Sequence, residues 1–411
     1  MPEFWHYLDG RADVSLVELS SLPAAPEGGS SWGVRMKTGE WTLRSRRVVT
    51  PSGVRPADVR IRQEAVAELL EHDSPDSEGV ILDVEDLAVL PGLVALHPVG
   101  SEGAGGVGIV AASRESAEGG VTTLVDLSGG DGREADPATD PLKPLLALQG
   151  VIRVDCGLVV PLGRAQVWQV ARWIEAGVLG IEASLLTGPS GPLPTPAEAD
   201  LRAVMSALVQ LGRPLVARPG DEVEVVRLLI RLCRETRCRV HLVQPTASEA
   251  WPLIAEGREE GLPITVETSP GHLAGEGGGR LLDALELGRI DAIGPDHRPG
   301  RGDLRSALPA TWALVKGRGL GLDSLARWMA AGPASTLGLS ARKGAIEPGL
   351  DADFVLFDPD ASGPTPGTLG RVEMTILRGN MIYHSGRTFE NPRGAVVLLM
   401  EETEPLYGSK S

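Results

Sequence analysis

Short apolar runs alternate with amphipathic stretches along most of the chain. The runs rich in Val, Ile and Leu predict eight strands, at Val94–His97, Thr122–Asp126, Arg153–Val159, Leu179–Ser184, Pro214–Ala217, Arg239–Val243, Ile264–Thr268 and Ile290–Gly294. Between them, apolar residues at three- and four-residue spacing predict helices such as Ala165–Glu175, Glu198–Leu211, Glu222–Glu235 and Ser248–Glu260. Repeated βα units predict an α/β protein with a TIM (β/α)8 barrel, whose functional residues lie at the carboxyl ends of the strands.

Both ends of the chain follow a different pattern. Short runs that alternate or stay apolar between turn signals predict strands at Trp41–Val49, Val59–Leu69, Ala352–Phe357 and Met374–Leu377. We expect a small β-sandwich composed of residues 41–90 and 343–394, beside a barrel formed by residues 91–342. Residues 1–40, with a candidate strand at Val14–Leu19, are predicted to be an N-terminal extension and residues 395–411 a C-terminal tail.

Composition narrows the class of protein and partner. The chain has 411 residues, of which 42% are hydrophobic, enough for a large core and an accessory module. Its 55 acidic and 39 basic residues give a net charge of -16, which argues against nucleic acid or an anionic membrane as partner. No basic segment precedes an apolar run at the N-terminus and no apolar run is long enough to span a membrane, so we predict a cytoplasmic protein. Neither a disulfide framework nor a zinc ribbon is indicated, because paired CxxC spacing is absent among Cys156, Cys233 and Cys238.

The apolar run that begins at Leu90 ends on His97-Pro98-Val99. A strand that closes on His-x-His would place two imidazoles at one strand end, where both can bind the same metal cluster. Here the second position is Val99, which has no lone pair to donate. Amine ligands are scarce as well, because no lysine occurs between residues 144 and 315. The five lysines of the chain are Lys37, Lys143, Lys316, Lys343 and Lys410.

Seven segments carry a family resemblance, in order along the chain: Pro91–Val94, Gly119–Asp126, Gly177–Gly180, Arg239–Val243, Val266–Pro270, Asp296–His297 and Lys343–Asp353. They resemble the amidohydrolase superfamily, most closely allantoinases, with dihydroorotases and hydantoinases next. The resemblance extends from about Trp41 to Gly394. It implies a dimer or tetramer and a barrel with two divalent metals, which activate a bridging hydroxide for attack on a cyclic amide carbonyl. The implied ligands are His-x-His after strand one, a carboxylated lysine on strand four, single histidines after strands five and six, and an aspartate after strand eight.

Two of the six implied ligand positions keep their residue. His97 stands at the first histidine, and Asp296, followed by His297, stands at the aspartate. Val99 replaces the second histidine of the His-x-His pair.

The other three positions carry different chemistry. Glu182 stands at the lysine position, and a glutamate can bridge two metals in related enzymes. Arg218 replaces the histidine after strand five with a guanidinium, which stays protonated and has no lone pair. Gln244 replaces the histidine after strand six with an amide oxygen, a weak ligand for zinc-like ions. His241, three residues earlier, is interpreted as a core histidine.

The substrate-binding segments also depart from the family. Pro270-Gly271-His272 stands where the family has a proline-histidine-tyrosine turn, so His272 is a candidate pocket residue in a shifted position. The connections from Leu273 to Ile290 and from Arg218 to Gln244 are shorter than the resemblance implies, and such connections form the substrate loops of a TIM barrel.

These replacements favour an allantoinase-like homologue that is catalytically inactive and needs no metal or other cofactor. In this hypothesis Arg218 pairs with Glu182 or Asp296 and supplies the positive charge that metals would supply. Buried carboxylates need such a partner because burial of an unpaired charge is costly.

Two alternatives remain open. The protein could hold one zinc or manganese ion through His97, Glu182 and Asp296, aided by His297 or His272, with Asp296 as general base in the hydrolysis of allantoin, dihydroorotate or a hydantoin. It could instead be a structural or regulatory partner of an active enzyme that the sequence does not identify.

Overall fold

The computed structural model describes residues 15–18, 40–77, 79–97, 106–127, 140–163, 167–186, 196–295, 304–389 and 391–399, with the backbone alone at residues 15–18, 97 and 106. The strands are β1 (Ser15–Glu18), β2 (Glu40–Thr50), β3 (Gly53–Arg62), β4 (Ala65–Leu70), β5 (Val80–Asp83), β6 (Ala88–Pro91), β7 (Leu93–His97), β8 (Val121–Asp126), β9 (Asp155–Pro161), β10 (Gly180–Ser184), β11 (Leu215–Arg218), β12 (Val240–Val243), β13 (Ile264–Thr268), β14 (Ala292–Ile293), β15 (Phe354–Ser362), β16 (Leu369–Leu377), β17 (Asn380–His384) and β18 (Arg387–Thr388).

The helices are α1 (Gly106–Glu118), α2 (Leu142–Leu146), α3 (Val167–Glu175), α4 (Glu198–Gln210), α5 (Val223–Thr236), α6 (Ala250–Glu259), α7 (Pro270–Leu273), α8 (Gly278–Glu286), α9 (Ala307–Lys316), α10 (Leu322–Ala326) and α11 (Gly332–Leu337). A π-helical turn at Arg327–Ala331 joins α10 to α11. In the described part of the chain, none of these helices combines the length and the apolar character that a membrane span needs.

Strands β7 to β14 form one parallel sheet in chain order, with helices in the connections. This arrangement confirms the predicted α/β, TIM-like fold, and all eight predicted strands are present. The largest differences are at β9, which starts two residues later than predicted, and at β14, which is reduced to two residues. The π-helical turn contacts both β7 and β14, the first and last strands of the sheet.

Alternation along the strands separates two apolar cores of the barrel. Val94, Val125 and Val216 belong to an inner core, whereas their strand neighbours Leu124 and Leu215 pack in the outer core with the helices. Because successive side chains of a strand point to opposite faces, this alternation identifies which polar residues point into the barrel.

The second sheet is mixed and has ten strands from both ends of the chain. Its order is β1-β5-β2-β6-β15-β16-β17-β18, with β3 paired to β2 and β4 paired to β3. The N- and C-terminal parts meet where β6 pairs antiparallel with β15. Residues of both parts, including Leu43 and Phe354, share one apolar core separate from the barrel. The expected accessory β-structure is therefore one continuous sheet.

The prediction of a single strand over Val59–Leu69 was wrong. This stretch is the end of β3 and most of β4, joined by a two-residue turn at Gln63 and Glu64. Both residues have positive φ angles, 56° and 142°, which are unusual without glycine or asparagine. The turn has no sequence signal of the usual kind, and for this reason the pattern did not predict it.

The first residues of the predicted C-terminal tail pack across the amino end of the barrel. The Cys156 N–H donates to the Ala395 carbonyl at 2.9 Å, and the Val397 N–H donates to the Cys156 carbonyl at 2.8 Å. The Leu399 N–H reaches the Gly177 carbonyl at 3.1 Å, just before β10. Val397 is 3% exposed and belongs to the inner core, so this segment closes the amino end of the barrel.

We expect Val397→Ala to lower the free energy of unfolding by about 1–2 kcal/mol, because it removes two buried methyl groups from the inner core. Chemical denaturation of the full chain measures this effect. Val209→Ala is the matched control, since Val209 is 37% exposed on α4. Equal effects of the two substitutions would mean that residues 395–399 do not contribute to the core.

Candidate functional site

Glu182 in β10 and Arg218 in β11 point into the barrel. Residues paired between parallel strands lie on the same side of a sheet, and Glu182 pairs with Val216, a residue of the inner core. Arg218 pairs with Ser184, which lies on the same face of β10 as Glu182. Arg218 and Ser184 are the last residues of their strands, so this group of side chains lies at the carboxyl end of the sheet.

The two side chains form a charge pair. The Arg218 Nε atom lies 2.7 Å from the Glu182 Oε1 atom, and the side chains are 16% and 5% exposed, respectively. The Nε–H bond is not well directed at a hydrogen-bond acceptor, so charge attraction dominates the contact. Burial raises the pKa of Glu182 to about 7, although the charge of Arg218 opposes that rise. This geometry brings together two of the residues that the sequence analysis singled out.

Asp126 is a further carboxylate that the sequence analysis did not include in the site. It ends β8, is 2% exposed and is the register partner of His97. Its negative charge contributes to the raised pKa of Glu182, which places its carboxylate in the same electrostatic environment. A sequence signal existed, because Asp126 closes an apolar strand just as His97 closes the preceding one.

Gln244 follows β12 and contacts the far end of the sheet. Its Nε2 atom donates to the Pro295 carbonyl at 2.9 Å, and its backbone N–H donates to the Glu267 carbonyl at 3.0 Å. Its φ angle of 47° lies in the left-handed region, which a non-glycine residue adopts only under local constraint. The side chain at the implied histidine position therefore serves as a hydrogen-bond donor to protein.

A second polar group lies inside the barrel. His241 is fully buried, in agreement with its interpretation as a core residue, and its Nδ1 atom is 2.9 Å from the Thr265 hydroxyl oxygen. The His241 Nε2 atom is 3.8 Å from the Glu267 Oε2 atom, and Glu267 is also fully buried. The Glu267 carboxylate packs so closely on Gly294 that a Cβ atom there would lie 2.6 Å from its Oε1 atom. Glu267 was not predicted from the sequence, since a lone acidic residue in a strand has no pattern that predicts burial.

The remaining candidate residues are less fully described. His97 is the last residue of β7, and the structure describes only its backbone. His272 is in the short helix α7, which Ser269 caps by accepting from the His272 N–H. Val99, Asp296 and His297 lie outside the described residues.

The described donor set does not fit the two-metal centre that the resemblance implies. Glu182 contacts a guanidinium, Gln244 directs its amide nitrogen to a carbonyl, and Arg218 has no lone pair. Within the described residues, no group of three or more His, Cys, Asp and Glu side chains is arranged to hold a metal ion. Three of the six positions, Glu182, Arg218 and Gln244, are thus occupied by contacts between protein groups.

Comparisons with known proteins agree with the fold. The sequence profile of the amidohydrolase family matches residues 219–382. The L-hydantoinase (dihydropyrimidinase) from Arthrobacter aurescens has a similar structure, with a TM-score of 0.76 at 20% identity, over 87% of this chain and 100% of that chain. A D-hydantoinase from a Bacillus species has a TM-score of 0.75 at 18% identity, over 88% of this chain and 99% of that chain.

Relatives that align with this chain over most of their own length identify its family more narrowly. It is 25% identical to the allantoinase of Arabidopsis thaliana, over 87% of this chain and 90% of the plant protein. It is 31% identical to the allantoinase of Streptomyces avermitilis, over 87% of this chain and 98% of that protein. With this identity over nearly the whole of both proteins, the chain belongs to the amidohydrolase superfamily, as an allantoinase-like member.

Proposed function

We propose that this protein is an allantoinase-like homologue that does not hydrolyse cyclic amides, because its residues do not fit the metal centre that the resemblance implies. The contact between Arg218 and Glu182, at 2.7 Å, carries the proposal. It supports the expectation that an internal cation supplies positive charge at the carboxyl end of the barrel.

Both electrostatics and ligand chemistry disfavour a metal ion at this end of the barrel. A dication bound by Glu182 would lie close to the guanidinium of Arg218, and the repulsion is strong where water is largely excluded. Arg218 also cannot relieve the repulsion by losing its proton. Two metals would in addition need ligands at Gln244 and Val99, where the chain offers an amide and an isopropyl group.

We expect the protein, expressed without chelator and purified, to contain less than about 0.1 equivalents of zinc, manganese or cobalt and to show no turnover. Elemental analysis measures the metal content. Turnover is assayed with allantoin, dihydroorotate and hydantoin, each with and without added metal. The allantoinase of S. avermitilis, analysed in parallel, is the positive control.

Two outcomes would contradict this proposal in different ways. Two metal equivalents with turnover would establish an ordinary member of the superfamily. One equivalent, with metal and turnover both lost in His97→Ala, would support a single-metal hydrolase with His97, Glu182 and Asp296 as ligands.

A further inference from the structure

Two side chains at implied ligand positions connect strand ends directly. Arg218 joins the end of β11 to Glu182 of β10, and Gln244 joins the end of β12 to Pro295, which lies just beyond β14. The second contact bypasses β13, so it connects strands that are not neighbours in the sheet. Backbone pairing between adjacent strands cannot supply such a connection.

We propose that these two contacts replace metal coordination in holding the carboxyl end of the barrel together, so that the folded protein is independent of divalent cations. The inference rests on the proposed function, because both concern the same implied ligand positions. It goes further in assigning Arg218 and Gln244 a positioning role that can be measured without any substrate.

The contact with Arg218 offsets the charge of buried carboxylates that a metal ion would otherwise neutralise. Glu182 is 5% exposed and is near Asp126, so without a cation two carboxylates would lie in a poorly hydrated space. The guanidinium offsets this charge from the adjacent strand. The backbone there is paired as well, since the Leu185 N–H donates to the Arg218 carbonyl at 3.0 Å.

Backbone hydrogen bonds constrain both partners of the contact between Gln244 and Pro295. The backbone of Gln244 is fixed on β13 through the Glu267 carbonyl, and its left-handed conformation accompanies a side-chain bond to Pro295. Pro295 is further constrained by its neighbour Gly294, whose N–H donates to the Thr268 carbonyl at 2.9 Å and whose Cα packs on the buried Glu267 carboxylate. Gln244 thus holds the end of the shortest strand in the sheet, β14.

Thermal unfolding of the full-length protein, followed by circular dichroism, tests the inference. The protein is measured after dialysis against EDTA and then with excess zinc or manganese. We expect the Tm of the wild-type protein to be the same within about 1 °C in all three conditions. We expect Arg218→Met and Gln244→Met each to lower the Tm by roughly 2–5 °C, whether or not metal is added. The matched controls are Arg227→Met and Gln210→Met, because both residues are exposed, and we expect no change in them.

A double variant provides a second test of the same contact in case Arg218→Met does not fold. In Glu182→Met/Arg218→Met both charges are removed together, and apolar replacement of a buried ion pair is commonly tolerated. We expect this variant to recover most of the Tm lost in Arg218→Met, which identifies the loss as that of an unpaired Glu182.

The inference is overturned if chelation lowers the Tm, if zinc or manganese raises it, or if the two variants behave as their controls do. The proposed function fails on different evidence, namely metal-dependent turnover. A chelator-sensitive Tm without turnover would reject this inference alone. Turnover with destabilised Arg218→Met and Gln244→Met variants would reject the proposed function alone.

Discussion

Replacing Lys343 with methionine is expected to lower the free energy of unfolding by about 3–5 kcal/mol, among the largest effects of any single substitution in this chain. Lys343 lies between α11 and β15, and its side chain is 1% exposed. Its Nζ atom is 2.7 Å from Asp155 Oδ2, 2.7 Å from Asp353 Oδ2 and 2.8 Å from Asp351 Oδ2. Loss of the ammonium leaves buried carboxylates without their principal counterion.

The charges around Lys343 are mutually dependent. Burial would lower the pKa of Lys343, but the carboxylates of Asp353 and Asp155 outweigh it and raise the pKa. Burial likewise opposes ionisation of Asp155, yet Lys343 and Arg378 hold its pKa below the ordinary value. Since Asp155 begins β9 of the barrel and Asp353 immediately precedes β15 of the mixed sheet, the network also joins the two sheets.

Chemical denaturation of Lys343→Met and of wild-type protein measures the difference. Lys143→Met is the control, because Lys143 is exposed on α2 and we expect its effect to be within about 0.5 kcal/mol. A loss below about 1 kcal/mol in Lys343→Met would show that Arg378 alone suffices to stabilise the buried carboxylates.

The apolar pattern predicted the fold well because strand burial is a local property of the sequence. All eight barrel strands overlap the predicted apolar runs, and the four amphipathic helices named from the pattern overlap α3, α4, α5 and α6. The turn at Gln63 and Glu64 escaped prediction because its backbone geometry is imposed by the pairing of β3 with β4.

The candidate site was predictable only in part. Arg218 and Glu182 were identified as possible partners from their positions after strands, since parallel strand ends meet at one edge of a barrel. Glu267 was missed because its burial depends on its tertiary partners, and outside the site Asp155 was missed for the same reason. Asp155 meets Lys343 across 188 residues of sequence, and no spacing rule links them.

Restoring the implied ligand set is expected to convert the carboxyl end of the barrel into a metal site. The variant combines Val99→His, Glu182→Lys, Arg218→His and Gln244→His with the native His97 and Asp296. Imidazoles would replace the guanidinium, the amide and the isopropyl group, and a lysine-derived ligand would replace the Glu182 carboxylate. We expect stoichiometric zinc binding, detected by elemental analysis after gel filtration, where the wild-type protein retains none.

Stability should then depend on metal, which is a consequence that binding alone does not test. Without zinc the variant lacks both the Arg218–Glu182 pair and the Gln244–Pro295 bond, so its Tm should be below that of the wild type. Free zinc at about 1,000 times the Kd would raise the free energy of unfolding of the variant by about 4 kcal/mol, because the metal binds only the folded state. Thermal unfolding with and without zinc measures this recovery.

The matched control retains Arg218 and carries only Val99→His, Glu182→Lys and Gln244→His. A guanidinium beside the ligands should prevent zinc binding in this triple variant, because the positive charge of Arg218 cannot be lost. Equal zinc binding by the triple and quadruple variants would show that Arg218 is not the obstacle. Zinc binding by the quadruple variant alone would identify Arg218 as the residue that separates this chain from a metal-binding barrel.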